Sequence, residues 1–112
     1  MERPVKGDVV VISFPFSDLS SSKRRPALVV ASLKGNDSIL CQITSSRILD
    51  SYTIPLNEND FSKGSLKRSS SLRPNKLFTA DNSIIIYRAG SLKKKKSLQV
   101  EEKICSILRD GG

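Results

Sequence analysis

Apolar residues in this chain come in short runs separated by turn-forming residues, and this pattern predicts β-strands. The three longest runs are residues 8–16 (DVVVISFPF), 26–32 (PALVVAS) and 38–44 (SILCQIT). The turn-forming segment KGND joins the second run to the third, so we expect these two strands to form a hairpin. Shorter candidate strands are residues 52–56, 66–72, 76–79 and 83–87, the last of which also suits a helical turn.

Helical periodicity is clear only near the C-terminus, where apolar residues recur on one face. Those residues are Val100, Ile104, Ile107 and Leu108. Ser97 is the expected N-cap of this helix, and Gly111 is the expected stop. Five to seven short strands with one C-terminal helix indicate a mainly β (α+β) fold, either a small barrel or a sandwich. Residues 1–112 contain no repeat and no long linker, so we expect a single domain.

The net charge and the residue types present limit the kinds of active site and partner that this chain can have. Lys and Arg number 19 against 11 Asp and Glu, and the net charge of +8 favours an acidic partner such as nucleic acid. Because the chain has no histidine, a Ser-His-Asp triad and a histidine-ligated zinc site are excluded. Cys41 and Cys105 lack metal-binding spacing, so we expect free thiols in a reducing compartment. We expect no metal and no cofactor.

The sequence carries no membrane or export signal. No apolar stretch approaches the roughly 18 residues that a membrane span needs. The first residues, MERPVKGDVV, lack the apolar region and cleavage site of a signal peptide. We therefore expect a cytoplasmic protein with no membrane partner.

One basic run stands directly before a buried strand. The polar segment 17–25 (SDLSSSKRR) reads as a loop, and Pro26 restricts Arg25 to an extended backbone at the expected strand start. In the expected hairpin, Thr44 ends the neighbouring strand at the same edge of the sheet. A guanidinium beside a hydroxyl suits a phosphate group. From these residues alone, the simpler readings are favoured: Arg25 is a solvated loop charge, and Thr44 and Ser45 bond only to loop backbone.

A second basic segment follows the short strand at residues 52–56. Residues 62–80 contain five basic side chains and no acidic one, which offers a track for a phosphate backbone. These side chains are Lys63, Lys67, Arg68, Arg73 and Lys76. The lysine run at residues 93–96 is interpreted as a solvated face.

Four segments together resemble the MazF/PemK family of toxins from toxin–antitoxin pairs. They are KGDVVVISFPF at residues 6–16, RRPALVV at 24–30, CQITSS at 41–46 and LRPNKLFTAD at 72–81. The resemblance extends from Lys6 to the C-terminal helix. It implies a small SH3-like β-barrel that forms a homodimer, cleaves single-stranded RNA (mRNA) at short sequences without a metal and is blocked by a cognate antitoxin. In this resemblance the catalytic arginine falls on Arg25 and the catalytic hydroxyl on Thr44.

The remaining expected RNA contacts are basic or hydroxyl side chains near those two residues. They are Lys23, Arg24, Ser45, Lys67, Arg68, Arg73 and Lys76. Metal-free cleavage proceeds by attack of a ribose 2′-hydroxyl on the adjacent phosphate, and it needs charge stabilisation and proton transfer. Glu58 and Asp60 are the carboxylates nearest to the basic segment, but the sequence assigns no general base.

Two other functions fit the same sequence. A non-enzymatic toxin with this barrel that poisons DNA gyrase would depend on residues 107–112 rather than on Arg25 and Thr44. A plain nucleic-acid-binding barrel would be explained by the net charge alone. RNA cleavage separates both of these from a nuclease.

Overall fold

Seven strands form one antiparallel sheet in the computed structural model, which describes residues 2–15 and 22–111. The strands are β1 (Asp8–Pro15), β2 (Ser22–Ser32), β3 (Asp37–Thr44), β4 (Ile54–Leu56), β5 (Phe61–Gly64), β6 (Ser70–Asp81) and β7 (Ile85–Leu92). Their order across the sheet is β4-β6-β3-β2-β1-β7-β5. Short 3₁₀ helices lie at Glu58–Asp60 and Asn82–Ile84, and α1 spans Lys94–Asp110. The predicted mainly β fold with a C-terminal helix is confirmed.

The central strands β1, β2 and β3 are buried on both faces. Val9, Leu28 and Cys41 belong to one apolar cluster, while Val10 and Leu40 belong to a second. Because side chains alternate between the faces of a strand, neighbouring residues enter different clusters. Burial on both sides explains why these strands read as continuous apolar runs rather than as alternating patterns. The antiparallel pairing of β2 with β3 confirms the expected hairpin.

The sheet curls into a half-barrel because its two edges share one core. Ile54 and Leu56 of β4 lie in the same cluster as Phe61 of β5 and Leu92 of β7. β4 and β5 are the opposite edges of the sheet, and the 3₁₀ helix Glu58–Asp60 connects them along the chain. The prediction of a small barrel is therefore confirmed.

Strand β2 begins earlier than the sequence predicts. It starts at Ser22, so Arg25 lies inside the strand and pairs with Ile12 of β1. Pairing with β1 extends the strand into the polar residues 22–25, which local composition marks as a loop. The rest of that predicted loop, residues 17–21, and the predicted strand residue Phe16 lie outside the described residues.

Two predicted strands, residues 66–72 and 76–79, form one strand in the structure. This strand is β6, Ser70–Asp81, and residues 66–69 precede it. β6 pairs with β3 on both sides of Pro74, at residues 71–73 and 77–81, and that long-range partner keeps the chain extended.

A bulge interrupts β6 at its centre. Gln42 of β3 pairs with Arg73, while the preceding Cys41 pairs with Leu77. Residues 74–76 are thus left without partners on β3. Pro74 has no N–H to donate to the sheet, so a bulge is where it is tolerated.

Two further differences concern short elements. The predicted element at residues 83–87 divides between the 3₁₀ helix Asn82–Ile84 and the start of β7. Strand β5 was not predicted, because only Phe61 of its residues Phe61–Gly64 is buried and no apolar run marks it.

Helix α1 begins at Lys94, so the prediction of Ser97 as N-cap is wrong. The carbonyl oxygen of Asp60 accepts the Lys93 N–H at 2.8 Å, and the Asp60 carboxylate lies 3.6 Å from Nζ of Lys96. These contacts with the 3₁₀ helix hold the first turn in place of a side-chain cap. Lys96 is only 15% exposed at its side chain, so the reading of the whole lysine run as solvated is wrong for this residue.

The C-terminal end of α1 is as predicted. Gly111 adopts a left-handed conformation with φ +75°, and its N–H donates to the carbonyl of Ile107. Val100 is buried and Ile104 packs against the core, but Leu108 is 74% exposed. The buried stripe is thus shorter than its sequence pattern. No helix within the described residues is long and apolar enough to cross a membrane.

The backbones of β5 and β7 lie too close together at Gly90 to leave room for a side chain. A Cβ added at Gly90 would lie 2.3 Å from the backbone oxygen of Lys63. We expect Gly90→Ala to lower the free energy of unfolding by about 1–3 kcal/mol, since the clash is with backbone that cannot rotate away. Denaturant unfolding measures the loss. The exposed Ser51→Ala is the control and should change stability by less than about 0.5 kcal/mol. Equal stability of Gly90→Ala and the parent would contradict the close packing.

Candidate active site

A cleft of about 420 Å³ opens at the end of the sheet where β2 begins and β3 ends. Val11, Pro26 and Ile43 give it an apolar floor, and basic and hydroxyl side chains stand around them. The full lining is Val11, Lys23, Arg24, Arg25, Pro26, Ile43, Thr44, Ser45, Leu66, Arg68, Ser70 and Tyr87.

Arg25 and Thr44 both line this cleft. β2 and β3 are paired with Ala27 opposite Gln42 and Leu28 opposite Cys41. Carrying this register two residues beyond Ala27 places Arg25 opposite Thr44. Residues that oppose one another in an antiparallel pair point to the same face. The hairpin therefore brings a half-buried guanidinium and a hydroxyl to one cavity, as the sequence predicts.

The hydroxyl of Thr44 is buried at the end of β3. The residue is 8% exposed, and its Oγ1 accepts the backbone N–H of Ser46 at 3.1 Å. A threonine hydroxyl has two acceptor positions and one proton. Since the Ser46 N–H uses an acceptor position, the proton stays available for donation to a ligand oxygen.

The described lining of the cleft is rich in positive charge. Lys23, Arg24, Arg25 and Arg68 line it, and none of its described lining residues is acidic. Cations over an apolar floor act in a medium of lower effective dielectric than water, which strengthens their attraction for an anion. The cavity is thus suited to a phosphate group.

The other predicted contacts divide between the cleft and its surroundings. Ser45, Lys23, Arg24 and Arg68 line the cleft. Lys67 lies in a neighbouring pocket that shares Arg68 with the cleft.

Arg73 and Lys76 do not line the cleft. Nη2 of Arg73 lies 3.8 Å from the Asp50 carboxylate, and its side chain is only 20% exposed. Lys76 is exposed in the bulge of β6. Any contact of these two residues with RNA stays a prediction for a site beyond the cleft.

Tyr87 is a cleft residue that the sequence reasoning missed. It lies on β7 opposite Val11 and is 48% exposed. The only signal was an aromatic residue with a polar tip closing the apolar run SIIIY, and that signal also fits an ordinary core position.

Neither carboxylate near the basic segment lines the cleft. Asp60 accepts the backbone N–H of Asn57 at 2.8 Å and holds Lys96. Oε1 of Glu58 accepts the Ser65 hydroxyl at 3.2 Å. Asp60 thus contacts Asn57 and Lys96, and Glu58 contacts Ser65, so neither acid contacts the Arg25–Thr44 pair.

The cysteines are free, as predicted. Burial raises the pKa of Cys41 to about 12, so its thiol stays neutral and unreactive. Among the described residues, no three His, Cys, Asp or Glu side chains form a group that could hold a metal ion.

Comparison with known proteins identifies this architecture. Residues 5–108 match the family described as PemK-like, MazF-like toxins of type II toxin–antitoxin systems. No curated protein matches the sequence.

Three solved structures illustrate the likeness in fold. MazF (Form-I) from Deinococcus radiodurans is 20% identical, with a TM-score of 0.76 over 96% of this chain and 98% of that one. The MazE–MazF complex (Form-II) from the same organism is 18% identical, with a TM-score of 0.79 over 96% and 97%. An endoribonuclease from a mycobacterial species is 12% identical, with a TM-score of 0.74 over 96% and 93%. At these identities the likeness shows a shared fold.

Asp50, in the loop after Thr44, is expected to make the stability of the fold depend on pH in acid. The Thr53 hydroxyl donates to the Asp50 carboxylate at 2.7 Å and, with further N–H donors and Arg73, holds the pKa of Asp50 below its ordinary 3.8. A carboxyl with a lowered pKa in the folded state stabilises the fold above its unfolded pKa, and this stabilisation is lost as the pH falls through the folded value.

We therefore expect the parent to lose stability between about pH 5 and about pH 2, and Asp50→Asn to lose less over that interval. Melting temperatures across the interval measure the difference. Parallel curves for the two proteins would show that Asp50 contributes nothing to the acid transition.

Proposed function

Because the chain belongs to the family of PemK-like, MazF-like toxins of type II toxin–antitoxin systems, we propose that it is a toxin that cleaves single-stranded RNA. The observation that carries the proposal is the shared position of Arg25 and Thr44 in an electropositive cleft without a described acidic lining residue. Similarity to structures named as endoribonucleases supports the same activity.

In the proposed reaction, the ribose 2′-oxygen attacks the adjacent phosphorus. A new bond forms between O2′ and phosphorus, and the bond from phosphorus to the 5′-oxygen breaks. The products are a 2′,3′-cyclic phosphate and a 5′-hydroxyl end. The nucleophile belongs to the RNA itself, so the protein has to supply charge stabilisation and positioning rather than a metal-bound water.

Arg25 and Thr44 have separate roles in this step. Arginine is always protonated, so Arg25 neutralises charge on the phosphorane oxygens and donates hydrogen bonds to them. Thr44 donates its hydroxyl proton to a non-bridging oxygen, since its hydrogen bond with the Ser46 N–H uses only an acceptor position of the hydroxyl. We assign the removal of the 2′-hydroxyl proton to water, and a water molecule likewise supplies the proton that the leaving 5′-oxygen takes up.

Substrate binding extends along the basic cleft. Lys23, Arg24, Arg68 and Ser45 line the same cavity and would contact phosphates beside the scissile one. The exposed ring of Tyr87 provides a stacking surface for one unpaired base. An RNA strand with unstacked bases fits this arrangement better than a duplex.

We propose that the toxin acts as a homodimer in the cytoplasm and is neutralised by a cognate antitoxin. The similarity to a MazE–MazF complex supports an antitoxin partner. An acidic segment of that partner would compete with RNA for the electropositive cleft.

Incubation with a long RNA in EDTA separates the nuclease from the alternatives. The nuclease produces discrete fragments with 5′-hydroxyl ends. A gyrase-directed toxin or a simple binder leaves the RNA intact, and the gyrase-directed toxin loses toxicity on changes in residues 107–112.

We predict that Arg25→Ala lowers the rate of RNA cleavage by about 10²–10³-fold, because a donor to the transition state is lost. Circular dichroism should show an unchanged fold. Arg109→Ala removes the same charge from the end of α1, outside the cleft, and should cleave at the parent rate. Equal cleavage rates for Arg25→Ala and Arg109→Ala would refute the role of Arg25.

The stacking role of Tyr87 predicts a split between two variants. Tyr87→Phe keeps the ring and should keep RNA affinity close to that of the parent. Tyr87→Leu removes it and should weaken binding by about 1–3 kcal/mol. Binding of a non-cleavable RNA with a 2′-deoxy residue at the cut site measures both. Equal affinity for the two variants would exclude stacking at Tyr87.

A further inference from the structure

A second pocket of about 390 Å³ opens beside the cleft and shares Arg68 with it. Its lining is entirely polar, and it comes from the 3₁₀ segment after β4 and from the turn before β6. The lining residues are Asn57, Glu58, Asn59, Lys67, Arg68 and Ser69. An RNA strand bound at Arg25 and Thr44 would reach this pocket along Arg68.

One hydrogen bond links the exposed Glu58 carboxylate to the turn before β6. Its Oε1 accepts the Ser65 hydroxyl at 3.2 Å, and Oγ of Ser65 accepts the N–H of Lys67 at 2.8 Å. Lys67 has a φ of +59°, a left-handed conformation that is uncommon for a residue other than glycine. The turn that carries Lys67 and the carboxylate of Glu58 are thus built as one unit.

Hydrogen bonds also hold the 3₁₀ segment that forms the other side of the pocket. The backbone N–H of Asn57 donates to the Asp60 carboxylate at 2.8 Å, and the N–H of Asp60 donates back to the Asn57 carbonyl at 3.0 Å. Asp60 is in turn tied to the first turn of α1 through Lys96. Glu58 and its two asparagine neighbours are therefore held on a frame that is anchored to the helix.

The chemistry of this pocket differs from that of the cleft. A carboxylate repels phosphate, so Glu58 disfavours the RNA backbone and favours groups that donate hydrogen bonds. Carboxylate and amide side chains read base edges, and protein contacts to single-stranded RNA use the Watson–Crick edge. Guanine presents two adjacent donors there, N1–H and the N2 amino group, whereas uracil presents one donor between two acceptors.

We propose that this pocket binds the base of a nucleotide that flanks the scissile phosphate, and that Glu58 selects guanine over uracil at that position. The inference rests on the proposed ribonuclease function and adds a specificity residue to it. Arg68 contacts the phosphate between the two sites, while Asn57 and Asn59 complete the contacts to the base.

The test is cleavage of a random-sequence RNA pool in EDTA, followed by sequencing of the new 5′ ends. The parent should show guanine enrichment at one fixed position beside the cut. Glu58→Gln, which keeps the size and removes the charge, should lose that enrichment while it continues to cut. We expect the guanine-to-uracil ratio of kcat/KM at this position to fall about tenfold or more. Glu102→Gln on the exposed face of α1 is the matched control and should keep the parental profile.

Three results would overturn the inference while leaving the ribonuclease function intact. They are an identical profile for Glu58→Gln and the parent, a parent without guanine enrichment beside the cut, and a folded Glu58→Gln variant that no longer cuts. The last would make Glu58 part of the cleavage step rather than a specificity residue. A parent that leaves all RNA intact would contradict the proposed function and this inference together. Melting temperatures of both variants establish that they are folded.

Discussion

The register between β2 and β3 is the constraint on which the site depends. Val29 and Leu40 pack in the cluster on one face of this pair, while Leu28 and Cys41 pack in the cluster on the other. A slip by one residue would turn each of these side chains to the wrong face, so burial on both sides fixes the pairing. The same register, extrapolated two residues beyond the last pair of Ala27 with Gln42, puts Arg25 opposite Thr44, and both residues line the cleft. The geometry of the site is therefore a consequence of the core.

The acidic side chains Asp8, Asp50 and Asp60 lie outside the cleft that contains Arg25 and Thr44. Asp8 is buried, and it accepts the Ser91 hydroxyl and pairs with Arg88. Asp60 holds the start of α1, and Asp50 holds the loop after Thr44. These acids contact structural partners, and no described residue that lines the cleft is acidic. The described side chains that line the cleft therefore carry positive charge and no negative charge.

The features that could be predicted from sequence are those set by local signals or by strong burial. Continuous apolar runs predicted the β2–β3 hairpin, and Gly111 predicted the end of α1. The features that could not be predicted depend on contacts between distant segments. Strand β6 continues through Pro74 because β3 pairs with it, and α1 begins at Lys94 because Asp60 holds its first turn.

The residues of the site likewise divide into those that local sequence predicts and those that contacts between distant segments place. Arg25 and Thr44 are placed by a hairpin that the sequence encodes locally, so both could be assigned to one edge of the sheet. Arg73 has the same Arg-Pro context as Arg25, but the position of Asp50 in space directs it to an ion pair outside the cleft. Tyr87 enters the cleft only because β7 pairs with β1, a contact that spans most of the chain.

A double-mutant cycle shows whether Arg25 and Thr44 act on one phosphate. Single-turnover RNA cleavage in EDTA would be measured for the parent, Arg25→Ala, Thr44→Val and the double variant. Groups that act together on one transition state are strongly non-additive. If the two residues act on one phosphate, the double variant is no more than about threefold slower than Arg25→Ala alone. A double variant whose loss equals the product of the two single losses would show that Arg25 and Thr44 act independently.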